Sequence, residues 1–251
     1  MSGHSKWSTI KRKKAAEDAK RGRLFTRLAR EITVAAREGG GDPDINFSLR
    51  LAVDKAKSAN MPKENIERAI KRGTGELKGE ELVEVVYEGY APNGVALLIQ
   101  SLTDNKNRTV SEIRRVLTRQ GGTMAEAGAV TWQFERKGYI AIASDGVDEN
   151  LIFDIAVDAG AEDVVFGEGM IEVYADLDHF QAVRQALEEA GVKFETAEMS
   201  MIPKTTMQLG EKETLQVMKV IDALEDLDDT QQVYSNLDIS DDAMAQYEAL
   251  D

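Results

Sequence analysis

From Tyr139 onward the chain alternates short apolar strands and amphipathic helices in an order that few folds accommodate. A strand over 139–143, a helix over 148–159 and a strand over 163–166 lead to a turn at Gly167–Gly169. A strand over 170–175, a helix over 177–190 and a strand over 193–201 follow. This is β-α-β-β-α-β, the split pattern of a ferredoxin-like domain. The flanks are incomplete by themselves. Strands over 84–90 and 95–103 pair around Ala91-Pro92-Asn93-Gly94, followed by a helix over about 108–120 and a strand over 130–135. Beyond the split pattern, one amphipathic helix (211–226) and one strand (232–236) remain, and they have no core unless they complete the earlier sheet. The third domain is therefore expected as an insertion in the second.

The N-terminal part reads differently. Leu24, Leu28, Ile32 and Ala35 recur at helical spacing, and Phe25 and Ala36 join them on one face. Gly39-Gly40-Gly41-Asp42-Pro43 ends that helix, with Asp42 and Pro43 suited to the N-cap and first position of the next. Leu49, Ala52, Val53 and Ala56 form a second stripe, Asn60-Met61-Pro62 breaks it, and Ile66, Ala69 and Ile70 form a third before Gly73. The expected architecture is α+β and multidomain. A basic arm and three-helix bundle occupy 1–77, and an α/β domain is assembled from 78–136 and 205–240. A ferredoxin-like insertion spans 137–204, and 241–251 form a tail.

Charge divides along the same boundary. The whole chain of 251 residues has a net charge of -14, which argues against a polyanionic partner until its distribution is considered. Residues 1–78 hold 19 of the 31 Lys and Arg and 10 of the 45 Asp and Glu, a net of +9. The remaining 12 basic and 35 acidic side chains give 79–251 a net of -23. On the first helix, Lys20, Arg23, Arg27, Arg30 and Arg37 gather opposite the apolar stripe as a cationic ridge. Ahead of it, Lys6, Trp7, Lys11, Arg12, Lys13 and Lys14 form an arm whose cations release counterions from phosphate and whose indole can stack on a base. Trp7 packed onto the bundle is the competing reading of that residue. With Lys20, Arg21, Arg23, Arg27 and Arg30, the arm makes the expected nucleic-acid contact set. Asn105 and Arg108, at a strand end that opens a helix, are a possible secondary contact, although helix capping by Asp104 or Asn105 accounts for the same residues.

Other chemistry finds little support. The chain has no cysteine, and His4 and His179 are its only histidines, so no metal site is expected. Asp222, Glu225, Asp226, Asp228 and Asp229 lack the oxygen spacing of a calcium loop and read as solvated acids. There is no phosphate loop, dinucleotide fingerprint or nucleophile elbow. No apolar run approaches a membrane span, and no apolar stretch follows the basic N-terminus as a secretory signal requires, so a cytoplasmic protein is expected.

Longer motifs carry a resemblance. Gly3-His4-Ser5-Lys6-Trp7, Asp18-Ala19-Lys20-Arg21-Gly22 and the stretch from Arg30 to Pro43 resemble the YebC family of YebC/PmpR-like transcriptional regulatory proteins. So do Asn60-Met61-Pro62-Lys63, Ile66 to Gly73 and Tyr87-Glu88-Gly89-Tyr90, with Ala91 standing where glycine is expected. The family is related to the mitochondrial translational activator of cytochrome c oxidase. The resemblance implies a helical domain followed by two α/β domains and a non-enzymatic, nucleic-acid-binding regulator. It implies a DNA-binding transcriptional regulator first. The alternative is a ribosome-associated factor that binds large-subunit RNA and relieves stalling at proline runs. A third class is an enzyme with a site between the acidic domains. A cofactor-free monomer with no membrane partner and no obligate small-molecule ligand is expected.

Overall fold

The computed structural model describes residues 18–78, 82–167 and 169–249. Three helices open it: α1 (Asp18–Gly39), α2 (Phe47–Ser58) and α3 (Lys63–Gly73). Their shared core holds Leu28, Ile32, Leu49, Ala52, Val53, Ala56, Ile66 and Ala69, the residues of the three sequence stripes. α1 and α3 approach so closely that the Thr33 hydroxyl donates to the Ala69 carbonyl at 3.1 Å. A Cβ on Gly73 would lie 2.4 Å from the Thr33 carbonyl oxygen. The second helix begins later than Asp42-Pro43 suggests. Asn46 is its N-cap, accepting from the Leu49 N–H at 3.1 Å, while its amide donates to the Ala35 and Gly40 carbonyls. Asp42 instead closes a turn by accepting from the Asp44 N–H. A side chain that both caps one helix and ties down the end of another outcompetes a simple Asp-Pro start.

The second domain contains β1 (Val83–Tyr90), β2 (Ala96–Thr103), α4 (Lys106–Arg119) and β3 (Thr123–Met124). The third contains β4 (Phe134–Ala143), α5 (Glu149–Asp158), β5 (Asp163–Gly167), β6 (Met170–Ala175), α6 (Phe180–Glu189) and β7 (Thr196–Pro203). The chain returns through β8 (Met207–Gln208), α7 (Glu211–Glu225), β9 (Thr230–Ser235), β10 (Leu237–Asp238) and α8 (Asp241–Ala249). The second sheet has the order β3-β1-β2-β9, so the returning strand pairs with β2, antiparallel, from Leu97↔Ser235 onward. Strand β2 is covered on both faces. Leu97 and Ile99 face α4 and α7 with Ile113, Leu117, Ile221 and Leu224, whereas Ala96 and Leu98 pack on Val130 and Phe134. Burial on both faces explains the continuous apolar run at the start of β2.

The third sheet has the order β5-β6-β4-β7 with every pair antiparallel, the ferredoxin-like arrangement. α5 and α6 cover one face, packing Ile152, Phe180, Val183 and Leu187 on Ile140, Ile142, Ile171 and Val173.

Two expectations require correction. Residues 130–135 are not a strand of the second sheet: 131–133 form a 3-10 turn and Phe134 already opens β4, opposite Pro203. The buried Glu88 carboxylate is the cause, because it accepts from the N–H groups of Gly128, Val130 and Thr131 at 2.7, 2.5 and 2.9 Å, donors a ladder would need. Burial pushes the Glu88 pKa up, but these bonds and the Thr131 hydroxyl more than offset it and hold it below the ordinary value. The expected tail is also structured: α8 adds Ala243, Met244 and Tyr247 to the second core, with the Tyr247 hydroxyl bonded to Asp222.

The helical domain touches both others. α2 meets the third domain through Phe47, edge-on to Phe180 with ring centroids 6.1 Å apart, and through Asp54–Arg184 and Lys55–Glu198 pairs at 2.8 and 3.3 Å. α1 meets the second.

Candidate nucleic-acid interface

The arm residues Lys6, Trp7, Lys11, Arg12, Lys13 and Lys14 lie outside the described residues, as does His4. Lys20 and Arg21 fall near the start of α1, where the backbone alone is described. For the rest of the ridge the structure gives a different use from the expected one. α7 ends at Glu225 with its last carbonyls unpaired by helix geometry, and the ridge arrives at that end. Arg23 lies 3.4 Å from the Asp226 carboxylate, and Arg27 donates to the Glu225 carbonyl at 3.2 Å. Arg30 donates to the Asp228 carbonyl at 2.6 Å and to Asp229 Oδ1 at 3.2 Å. Cations at the negative end of a helix dipole, beside a run of acids, make a favourable electrostatic contact between the two domains. Arg23, Arg27 and Arg30 are therefore a docking face whose receptor is the Glu225 and Asp228 carbonyls and the Asp226 and Asp229 carboxylates, while the Asp226 and Asp228 side chains stay exposed and only Asp229 departs from the solvated reading by burial.

Asp229 lies at the centre of this junction with its side chain 2% exposed. Arg108 donates to its Oδ2 from Nε at 3.1 Å and from Nη2 at 2.7 Å, and the Thr109 and Thr103 hydroxyls lie at 2.8 and 3.2 Å. Burial pushes the Asp229 pKa up, but hydrogen bonds from Arg108 and Thr109, with the charges of Arg108 and Arg30, hold it below the ordinary carboxylate value. Asn105 is the N-cap of α4, accepting from the Arg108 N–H at 3.1 Å. Both members of the expected secondary contact thus have structural partners in the fold, which is the capping reading for Asn105 and an ion-pair clamp for Arg108.

Cations without such partners lie elsewhere. Arg68, Arg72 and Lys78 are exposed and form no ion pair among the described residues. They border a cleft of about 670 Å³ between α1 and α3. On the second domain, α4 carries Lys106, Arg108, Arg114, Arg115 and Arg119, five of the 12 basic residues of 79–251, and the last three are exposed. Of the two groups, only Arg108 stood out in the sequence. The density of α4 was visible as a local reversal of sign in an acidic region, whereas the convergence on the cleft depends on how α1 and α3 cross.

Among the described residues no cluster of His, Asp and Glu is arranged to hold a metal ion. His179 pairs with Asp176 at 2.9 Å, an exposed contact at the start of α6. No helix of the described residues is long and apolar enough to cross a membrane.

Comparison with known proteins separates the helical part of the chain from the rest. Residues 5–76 match the model of the TACO1/YebC protein N-terminal domain, and 82–237 match that of the TACO1/YebC second and third domain. A probable transcriptional regulatory protein of Geobacter sulfurreducens is 55% identical over 244 residues, covering 97% of this chain and 98% of the relative. One from Acidithiobacillus ferrooxidans is 56% identical over 249 residues, covering 99% of both. The crystal structure of a conserved hypothetical protein from Aquifex aeolicus, 48% identical, superimposes with a TM-score of 0.81 over 89% of this chain and 93% of that one. With both parts matched and full-length relatives more than half identical, the chain belongs to the TACO1/YebC family.

Proposed function

We propose that this protein is a non-enzymatic regulator that binds nucleic acid through its helical domain and acts on transcription. The observation that carries this reading is the segregation of charge, +9 in residues 1–78 against -23 in the rest. Phosphate is drawn to one end of the molecule and repelled from the other. The names of the relatives, probable transcriptional regulatory proteins, support the regulatory role. The contact set comprises Lys6, Trp7, Lys11, Arg12, Lys13 and Lys14 with Lys20 and Arg21, extended by the unpaired Arg68, Arg72 and Lys78. Arg23, Arg27 and Arg30 serve to hold the domains together. The protein acts in the cytoplasm as a monomer and without a cofactor.

A second reading, a translation factor on ribosomal RNA, is favoured by one observation. The cationic face of α1 is turned onto the second domain, so α1 does not present that face to a DNA major groove as a recognition helix does. Chromatin immunoprecipitation with matched transcript counts and ribosome profiling separates the two. Bound promoters with altered transcript abundance and unchanged pausing are expected from the transcriptional role. Codon-specific pausing at constant transcript levels, with sedimentation on large ribosomal subunits, would overturn it in favour of translation.

A further inference from the structure

The cleft between α1 and α3 combines three kinds of surface. Its apolar lining is formed by Phe25, Ala29, Met61, Ala69 and Leu82, the last three buried. Arg68, Arg72 and Lys78 also line it, and among the described residues no acidic side chain does. Arg68 and Arg72 are four residues apart on α3 and so share one face, and both guanidinium-bearing side chains line the cleft. Asn65, one turn earlier and half-buried, also lines it, and its side-chain amide has no hydrogen-bond partner among the described residues. Arg30 reaches the same cleft while bonded to Asp229.

We propose that this cleft holds one unpaired nucleotide of a single strand, with its base on Phe25 and Met61 and its flanking phosphates on Arg68, Arg72 and Lys78. The inference rests on the nucleic-acid reading above and specifies where and in what form the strand is held. An aromatic and a thioether lining suits the flat face of any base. The Asn65 amide offers a donor and an acceptor to a base edge. Guanidinium forks match phosphate oxygens in a way that point charges do not. A volume of about 670 Å³ falls within the range of sites that enclose a compact ligand. A paired base inside a duplex keeps both faces stacked and has no face to offer this lining, so the cleft selects for single strands.

The test uses the full chain and fluorescein-labelled single strands of about a dozen nucleotides, with the same sequence as a duplex, titrated over a salt series. The paired variant Arg68→Gln and Arg72→Gln should weaken single-strand binding about 10-fold or more and flatten the logarithmic salt slope by about 1.4, two phosphate contacts at about 0.7 each. Asn65→Ala and Phe25→Leu should each weaken it several-fold with the slope unchanged, because neither removes a charge. Asn65→Ala keeps the test valid if Phe25→Leu disturbs the bundle, and circular dichroism reports which variants remain folded. Unchanged affinity and slope in the paired variant, while the native chain still binds, would overturn this site and leave the wider reading standing. Equal preference for the duplex would also overturn it, as would competition by free nucleoside monophosphate at the affinity of the oligonucleotide. Failure of the native chain to bind any of these probes would overturn the nucleic-acid reading itself.

Discussion

Replacing Asp229 with alanine removes at once an acceptor shared by Arg108, Arg30 and two threonine hydroxyls, although Arg108 keeps Asp104 and Arg30 keeps the Asp228 carbonyl. Breaking a buried ion pair by removing one partner costs about 3–5 kcal/mol, and Arg108 is 41% exposed and recovers water, so a loss near about 3 kcal/mol is expected in urea denaturation. The pH dependence has a definite sign. The folded pKa of Asp229 lies below its unfolded value, so the stabilisation is complete above that unfolded value, near about 4, and is lost as pH falls through the folded value. Asp229→Asn should therefore flatten the acid limb of the stability curve. His179 behaves in the opposite sense. The hydrogen bond and charge of Asp176 raise its pKa, so this contact stabilises fully below the unfolded value near about 6.5 and fades as pH rises through the folded one. Its imidazole resonance should titrate above about 6.5, and Asp176→Asn should bring the midpoint down. None of the partners of Asp229 was legible in the sequence, because an aspartate in an acidic run carries no local mark of a guanidinium 121 residues away.

α1 shows what periodicity can and cannot reveal. Its apolar stripe was readable because helical spacing is a local property, and Leu28, Ile32 and Ala36 are buried as that spacing requires. The opposite face was readable as cationic but not as occupied, since its acceptors belong to the end of α7 and the turn after it, about 200 residues later. On spacing alone, changing Arg23, Arg27 and Arg30 together to glutamine should barely affect stability. The docked structure leads to a different expectation, a loss of about 3 kcal/mol seen in thermal melts, because the part-buried charged bonds from Arg27 to the Glu225 carbonyl and from Arg30 to Asp229 contribute more than solvated ones. A separate test concerns the crossing of α1 and α3. Gly73→Ala places a methyl 2.7 Å from Ala36 Cβ and against the Thr33 carbonyl, and overpacking of this kind costs about 1–3 kcal/mol. Boundaries were less legible than stripes: Asn46 takes the cap from Asp42, and Glu88 prevents a strand at 130–133, in both cases through side-chain bonds to backbone.

Across the whole molecule, the return of the C-terminal strand to the second sheet was legible, and the order of the strands within that sheet was not. That the last strand joins the second sheet follows from two unfinished segments that need one another, an argument about cores rather than about local signals, while β2 as its neighbour is seen only in the structure. Where the inserted unit begins depends on Phe134 opposite Pro203, a register that no turn residue announces. We infer that residues 134–203 fold alone. An excised fragment should give a dispersed amide spectrum and a cooperative melt, and a collapsed spectrum would mean that the unit depends on Phe47 of the helical domain for its core.

That insertion also sets a timetable at the ribosome. Synthesis runs from the N-terminus, and domains fold as units as they emerge. The helical domain and strands β1 and β2 are made early, yet β9 follows only after the entire third domain has been translated. For that interval the Leu97–Ile99 edge of β2 lacks the strand that pairs with it, while the third domain is being made. The acids at 225–229 emerge just before β9, so the receptor for Arg23, Arg27 and Arg30 does not exist until the final tenth or so of translation. Until then the cationic face of α1 lies open to whatever polyanion is nearest, and in a chain leaving the exit tunnel that is ribosomal RNA.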